Sequence, residues 1–154
     1  MGDVDARLRS LGITLPASRA PLANYVPAVR VGNLVYTAGQ VSAAPDREFK
    51  GKVGAELSLE DGREAARVCV VNCLTALLTV IDSLDQVVRI VQVSGFINSA
   101  PGFEQQPAVL NGASDLLAEV FGDAGKHSRR AVGGSELPAG FAVEVDLIAA
   151  VADA

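Results

Sequence analysis

Residues 127–151 read HSRRAVGGSELPAGFAVEVDLIAAV, and the alternation within this stretch decides the fold. The turn signal LPAG at residues 137–140 divides it into two extended runs. In the second run the odd-numbered residues from Val143 to Val151 are all apolar, so this strand face is predicted to pack against a helix layer. The even-numbered residues from Ala142 to Ala150 mix acidic and apolar side chains, which predicts a face lying partly against a second subunit.

Arg129 and Glu144 place opposite charges among apolar neighbours in these two runs. If the runs pair as a hairpin about residues 137–140, antiparallel register brings Arg129 within reach of Glu144, or both within reach of one small ligand. The residues alone also allow a purely structural ion pair between Arg129 and either Glu144 or Asp146.

The chain before this stretch alternates strand and helix signals. The expected elements are a helix at residues 3–11 with an extended connector, a hairpin of residues 25–31 and 34–38 about Gly32-Asn33, a loop at 43–57, a helix from Ser58 to about Asp82, a strand at 87–98, and a helix from Glu104 or Pro107 to Phe121. The order β-β-α-β-α-β-β predicts an α+β fold with one mixed β-sheet and both long helices on one face. The uncovered sheet face predicts oligomerisation, most simply into a closed ring.

Length and composition bound the class of protein. A chain of 154 residues suits one domain, here residues 1–154, in which residues 1–20 form the N-terminal helix and connector. The net charge is −5 and the basic residues are scattered, which disfavours nucleic-acid binding. The apolar span at residues 65–81 is too short for a membrane helix and the N-terminus lacks a signal core, so we expect a cytoplasmic protein with no membrane partner.

Few side chains suit metal binding or nucleophilic catalysis. Cys69 and Cys73 lie four residues apart in an apolar helical pattern, which indicates core thiols in a reducing compartment. His127 is the only histidine and shares a strand face with Arg129, where either a catalytic role or simple loop polarity would explain it. The sequence therefore predicts neither a metal site nor a cofactor.

An ordered set of motifs resembles a known family. The motifs are NYVPAV (24–29), GNLVYTAGQ (32–40), LNGAS (110–114), SRRAV (128–132), LP (137–138) and VEV (143–145). Together they are similar to the reactive intermediate deaminase family, also called Rid, YjgF-like or endoribonuclease L-PSP proteins, over nearly everything from residue 20 onward. The helix at residues 3–11 and the His-x-Arg-x-Ala-Val-Gly pattern are similar to a less characterised branch.

This resemblance implies a fold, an assembly and an activity. The fold would be chorismate mutase-like, the molecule a homotrimer, and the ligand sites three clefts between subunits. The implied activity is metal-independent hydrolysis of 2-aminoacrylate and related enamines or imines to 2-keto acids. Alternatives that the family leaves open are a non-catalytic trimer that binds small carboxylates, and RNA cleavage or translation inhibition, which the acidic net charge disfavours.

The resemblance also implies site residues. Arg129 would bind the substrate carboxylate, because arginine offers a planar fork of donors, and Glu144 would orient a water. Substrate-binding positions carried over from the motifs are Tyr25, Gly39, Asn111 and Ala131, the last standing where a cysteine is common. Three of these residues also have a plain structural explanation: Glu144 as a solvated or paired strand acid, Tyr25 as a half-buried aromatic, and Asn111 as a polar helix position.

Overall fold

One mixed six-stranded sheet forms the centre of the computed structural model, which describes residues 2–153. Both long helices cover one face of the sheet, as the sequence predicts. The helices are α1 (Asp3–Ser10), α2 (Leu59–Leu77) and α3 (Gln106–Phe121). The strands are β1 (Ala28–Val31), β2 (Leu34–Thr37), β3 (Gln40–Val41), β4 (Val87–Asn98), β5 (Ser128–Gly134) and β6 (Val143–Val151). The sheet order is β1-β2-β6-β4-β5, with β3 also paired to β6.

The predicted hairpin between β5 and β6 is wrong, because β4 lies between these two strands. β5 runs parallel to β4, with Ala131 opposite Gly95, and β6 runs antiparallel to β4, with Glu144 opposite Phe96. The physical reason is the α3 crossover: a strand, helix and strand in sequence form a parallel pair, and that places β5 on one edge of β4. The chain after β5 then crosses to the other edge.

The hairpin of β1 and β2 is confirmed with narrower bounds than predicted. Gly32 has φ of 61° in the tight turn, a left-handed conformation that glycine adopts without strain. The strand was expected to begin at Tyr25, but Pro27 has no N–H to donate, and regular pairing begins at Ala28. The two-residue strand β3 was not predicted, since so short a segment has no periodicity.

Helix α2 begins as predicted and ends earlier than predicted. Asp61 N donates to Ser58 Oγ at 3.0 Å and Ser58 N donates to Asp61 Oδ2 at 3.0 Å, which forms the reciprocal cap. The helix ends at Leu77 rather than near Asp82, because the backbone N–H groups of Thr79 and Val80 bond three residues back and tighten the last turn. No helix within residues 2–153 combines the length and apolar character needed to cross a membrane.

The core lies between α2, α3 and the inner face of the sheet. On β6 the five odd-numbered residues from Val143 to Val151 are at most 2% exposed, as the alternation predicts. Cys69 and Cys73 are buried core thiols that donate to the carbonyls of Val143 at 3.3 Å and Val145 at 3.4 Å. Burial raises the pKa of both thiols well above the usual range, so these thiols stay protonated and are poor nucleophiles.

Helix α1 closes one end of the helix layer. Val4 and Leu8 are buried, and Arg7 Nη1 donates to the carbonyl of Val120 near the end of α3 at 2.9 Å. The N–H of Val4 donates to Asp85 Oδ1 at 3.0 Å, which satisfies one of the free N–H groups at the start of the helix. The connector then crosses α2, where Thr75 Oγ1 donates to the carbonyl of Pro16 at 3.2 Å.

Gly112 determines how closely α3 approaches α2. A Cβ added at Gly112 would lie 2.0 Å from the backbone oxygen of Arg63 on α2. A backbone atom within a packed helix cannot move aside in the way a side-chain tip can. Glycine at this position therefore sets the distance between the two long helices.

The variant Gly112→Ala is expected to lower the free energy of unfolding by about 1–2 kcal/mol, because overpacking against backbone costs roughly 2–3 kcal/mol and the gain in helix propensity returns only roughly 1 kcal/mol. Gly62→Ala on α2 is the matched control, since its added Cβ would meet only side-chain methyl groups at 3.2 Å. Urea denaturation of both variants checks this. A Gly112→Ala protein at least as stable as the wild type would contradict it.

Candidate active site in two halves

Arg129 and Glu144 project from opposite faces of the sheet. Arg129 is the register partner of Val93, which is buried beneath the helices, so its side chain lies on the helix face. Glu144 is the register partner of Phe96, which is 36% exposed on the face without helices. The expectation that one chain brings the two charges within reach of each other is therefore wrong, and no Arg129–Glu144 ion pair occurs within residues 2–153.

The first half of the site is the arginine cluster, formed by Pro107, Asn111, Ser114, His127 and Arg129. Arg129 Nη1 donates to Asn111 Oδ1 at 2.9 Å and to Ser114 Oγ at 3.1 Å. Arg129 Nη2 donates to the carbonyl oxygen of Pro107 at 3.1 Å. All three acceptors belong to α3, so the helix holds the guanidinium at the edge of the sheet.

These contacts use only part of the guanidinium. Arginine has five N–H donors, and three of them have acceptors in the arginine cluster. The N–H of Nε and one N–H of Nη2 have no acceptor within the described residues 2–153. A donor pair of this kind matches the two oxygens of a carboxylate.

His127 joins the arginine cluster through Ser114. Its Nδ1 lies 2.6 Å from the carbonyl oxygen of Gly125. Because a carbonyl only accepts, Nδ1 bears the proton, and in the neutral ring Nε2 accepts the hydroxyl proton of Ser114 at 3.0 Å. In that tautomer the Ser114 hydroxyl donates to His127 and accepts from Arg129.

The second half is the glutamate pocket, a cavity of about 390 Å³ whose lining includes Tyr25, Gly39, Phe141 and Glu144. Residues 17–22 of the connector form part of its wall. A Cβ at Gly39 would lie 2.1 Å from Glu144 Oε1, so only glycine lets this carboxylate lie against the backbone. Tyr25 is 54% exposed at the rim.

Burial raises the pKa of Glu144, and the negative charge of Asp146, two residues along the same strand face, raises it further. Burial also raises the pKa of Asp146, while the positive charge of Arg130 opposes this shift. Both shifts favour proton uptake in the folded chain. A carboxylate held in this way is a better proton acceptor than one in water.

The sequence-derived residues thus fall into two groups. Asn111 touches Arg129, and Ala131 follows two residues later on the same face of β5. Tyr25 and Gly39 lie with Glu144 around the glutamate pocket. Sequence reasoning assigned no role to Ser114, although its spacing of three residues from Asn111 on a helix places both on one face.

No group of three or more His, Cys, Asp or Glu side chains among residues 2–153 is placed to hold a metal ion. The two halves themselves present a guanidinium, a hydroxyl, an imidazole and a carboxylate. Such groups can bind a small anion and transfer protons to or from water.

The chain is similar to a known family model and to a known protein. A family model described as "YjgF/chorismate mutase-like, putative endoribonuclease" matches residues 5–151. Protein TCP17 of Trypanosoma cruzi is 42% identical over 152 residues, covering 96% of this chain and 93% of that protein.

Two crystal structures are also similar. Atu1372 of Agrobacterium tumefaciens, a protein of unknown function, has 37% identity and a TM-score of 0.91, covering 97% of this chain and 93% of that one. A "putative endoribonuclease" of Shewanella oneidensis MR-1 has 32% identity and a TM-score of 0.92, covering 96% of this chain and 99% of that one. The chain therefore belongs to the YjgF/chorismate mutase-like family, the Rid family that its motifs resemble.

Proposed function

We propose that this protein hydrolyses small reactive enamines and imines of the 2-aminoacrylate type to 2-keto acids, without a metal, in clefts between the subunits of a homotrimer. The observation that carries the proposal is Arg129, which α3 holds while two of its N–H donors have no acceptor among residues 2–153. Family membership supports the proposal in general terms.

Substrate binding follows from the geometry of the guanidinium. An α-imino acid presents a planar carboxylate beside the reacting carbon. The available donors of Arg129 can bind it in two parallel hydrogen bonds, each contributing roughly 1.5–3 kcal/mol. Lysine lacks this fork and would bind the carboxylate less well.

The reaction requires one water and proton transfers. The enamine first moves a proton from nitrogen to carbon and becomes the imine. A water oxygen then bonds to the imine carbon while Glu144 accepts a water proton, and this proton passes to the nitrogen. The carbinol hydroxyl then gives its proton to the amino nitrogen as the carbon–nitrogen bond breaks, so ammonia leaves and the carbinol oxygen becomes the keto oxygen. The raised pKa of Glu144 suits this exchange of protons.

The trimer is proposed because the two halves lie on opposite sheet faces of one chain. A second copy could bring its glutamate pocket against the arginine cluster of the first. Residues available for such an interface lie on the uncovered face, where exposed apolar side chains include Val29, Val31, Tyr36, Phe96 and Val132. A surface of this kind is typical of subunit contacts.

Two other functions are outcomes of the same experiments. A non-catalytic carboxylate-binding trimer would show an Arg129-dependent rise in melting temperature with a 2-keto acid but no turnover. RNA cleavage would need contacts for a polyanion, whereas the chain has a net charge of −5. No contact in the described residues favours either function over the first.

Arg129→Lys is expected to lower kcat/KM about tenfold to a hundredfold with 2-aminoacrylate generated in situ, because the charge remains while the bidentate pairing is lost. Arg130→Lys is the matched control, since Arg130 is the next residue on the same strand and faces the other side. Stopped-flow assays of keto acid formation measure both. Equal kcat/KM for the two variants would reject the role of Arg129.

Mixing two inactive variants tests whether the site is shared between subunits. If Arg129 and Glu144 come from different subunits, trimers assembled from an equal mixture of Arg129→Ala and Glu144→Gln protein should recover about a quarter of wild-type activity. In random closed trimers roughly three in four rings are mixed, and each mixed ring holds one intact cleft of three. Activity no greater than that of the two variants separately, or a protein of monomer mass by light scattering, would exclude the shared cleft.

The pH dependence tests Glu144 as the proton acceptor. Its ionised form is the active one, so kcat/KM should fall as the pH drops, beginning at a higher pH than an ordinary glutamate would cause. Asp146→Asn removes the neighbouring negative charge and should move this fall to lower pH. Glu144→Gln should remove it and lower kcat about 10²- to 10⁴-fold. An unchanged pH profile in Glu144→Gln would assign the titration to another group.

A further inference from the structure

We propose that His127, acting through Ser114, is a positioning residue for Arg129, so that the imidazole fixes the direction in which the guanidinium presents its available donors. This inference rests on the proposed role of Arg129 in binding a carboxylate. It adds His127 and Ser114 to the residues on which that binding depends.

The hydrogen bonds form a continuous chain from the backbone to the guanidinium. The carbonyl oxygen of Gly125 accepts from His127 Nδ1 at 2.6 Å, and His127 Nε2 lies 3.0 Å from Ser114 Oγ. Ser114 Oγ in turn accepts from Arg129 Nη1 at 3.1 Å. Every link has one donor and one acceptor, so the direction of each hydrogen is determined by the link before it.

The series of hydrogen bonds begins at Gly125, a residue that packing holds in place. Gly125 is buried, and a Cβ at this residue would lie 2.1 Å from the carbonyl oxygen of Leu117 on α3. The turn at Gly122–Gly125 is thus packed directly against the helix that also holds Ser114 and Asn111. The imidazole of His127 and the guanidinium of Arg129 are therefore both positioned by α3 and the turn packed against it.

Ser114 needs His127 in order to serve as an acceptor for Arg129. A serine hydroxyl rotates freely, and its single hydrogen can point at any acceptor nearby. When Nε2 of His127 accepts a hydrogen bond from this hydroxyl, the lone pairs of Oγ face the guanidinium, which can only donate. Without the imidazole, the hydroxyl hydrogen has no fixed acceptor, so the lone pairs of Oγ no longer point steadily at Nη1 and the contact between Ser114 and Arg129 is weakened.

The geometry distinguishes positioning from direct catalysis. Both ring nitrogens of His127 have partners within the chain, Gly125 on one side and Ser114 on the other. Neither nitrogen is left to take a proton from a bound substrate. The effect of His127 on a ligand therefore passes through Ser114 and Arg129.

Two amide variants distinguish the roles of the two ring nitrogens of His127. Glutamine places its amide group near the position of Nε2 and can accept from Ser114, whereas asparagine places its amide near Nδ1 and can donate only to Gly125. We expect His127→Gln to keep near wild-type affinity for 2-oxobutanoate by calorimetry. His127→Asn, His127→Ala and Ser114→Ala should each weaken binding about fivefold to twentyfold, and the double variant Ser114→Ala/His127→Ala no more than either alone.

A second measurement needs no ligand. The Nη–H signals of Arg129 are resolved in ¹⁵N NMR spectra only while hydrogen bonds hold the guanidinium and slow its internal rotation, and Arg129→Lys assigns them by their loss. We expect resolved signals in the wild type and His127→Gln, and averaged signals in His127→Asn and His127→Ala. Averaged signals in the wild type, or identical spectra in all four proteins, would overturn the inference.

The two proposals fail in different ways. If Arg129→Lys leaves 2-oxobutanoate binding unchanged, the proposed function loses its binding residue, while the NMR comparison still decides whether His127 orients the guanidinium. If Arg129→Lys weakens binding but His127→Asn and His127→Ala bind like the wild type, the proposed function stands and the positioning role of His127 is rejected.

Discussion

Backbone pairing on both edges of β4 is the constraint on which the rest of this structure depends. The twelve residues of β4 bond in parallel to β5 on one edge and antiparallel to β6 on the other. A strand so long and so largely buried needs partners on both edges for its N–H and C=O groups. The strands β5 and β6 follow each other in sequence. Each pairs with a different edge of β4, so they lie apart in space.

This separation determines the form of the candidate site. With β4 between them, Arg129 and Glu144 share neither an edge nor a face of the sheet. Each is instead supported by its own surroundings: Arg129 by hydrogen bonds that it donates to α3, and Glu144 by a close fit against Gly39 at the wall of a cavity. Because they lie on different faces, the two charges of one chain cannot pair with each other.

The helix layer does more than cover the core. α3 approaches α2 closely at Gly112, packs Leu110 against Gly95 of β4, and presents Asn111 and Ser114 to Arg129. The same helix ends in the turn that holds Gly125 against Leu117 and orients His127. Packing of apolar residues and placement of polar ones are therefore achieved by one element, and a change in its position would alter both.

Periodicity determined the fold class, the helix layer and the buried face of β6, because side-chain alternation and helical spacing are local properties of the chain. The capping pair Ser58 and Asp61, the turn at Gly32 and the core thiols were likewise predictable from neighbouring residues. The motifs identified the family and pointed to Arg129 and Glu144. Only the tertiary structure decided that β4 separates β5 from β6 and that Ser114 links His127 to Arg129. Strand order and hydrogen-bond partners distant in sequence depend on how the backbone N–H and C=O groups of all the strands find partners. No local pattern encodes that choice.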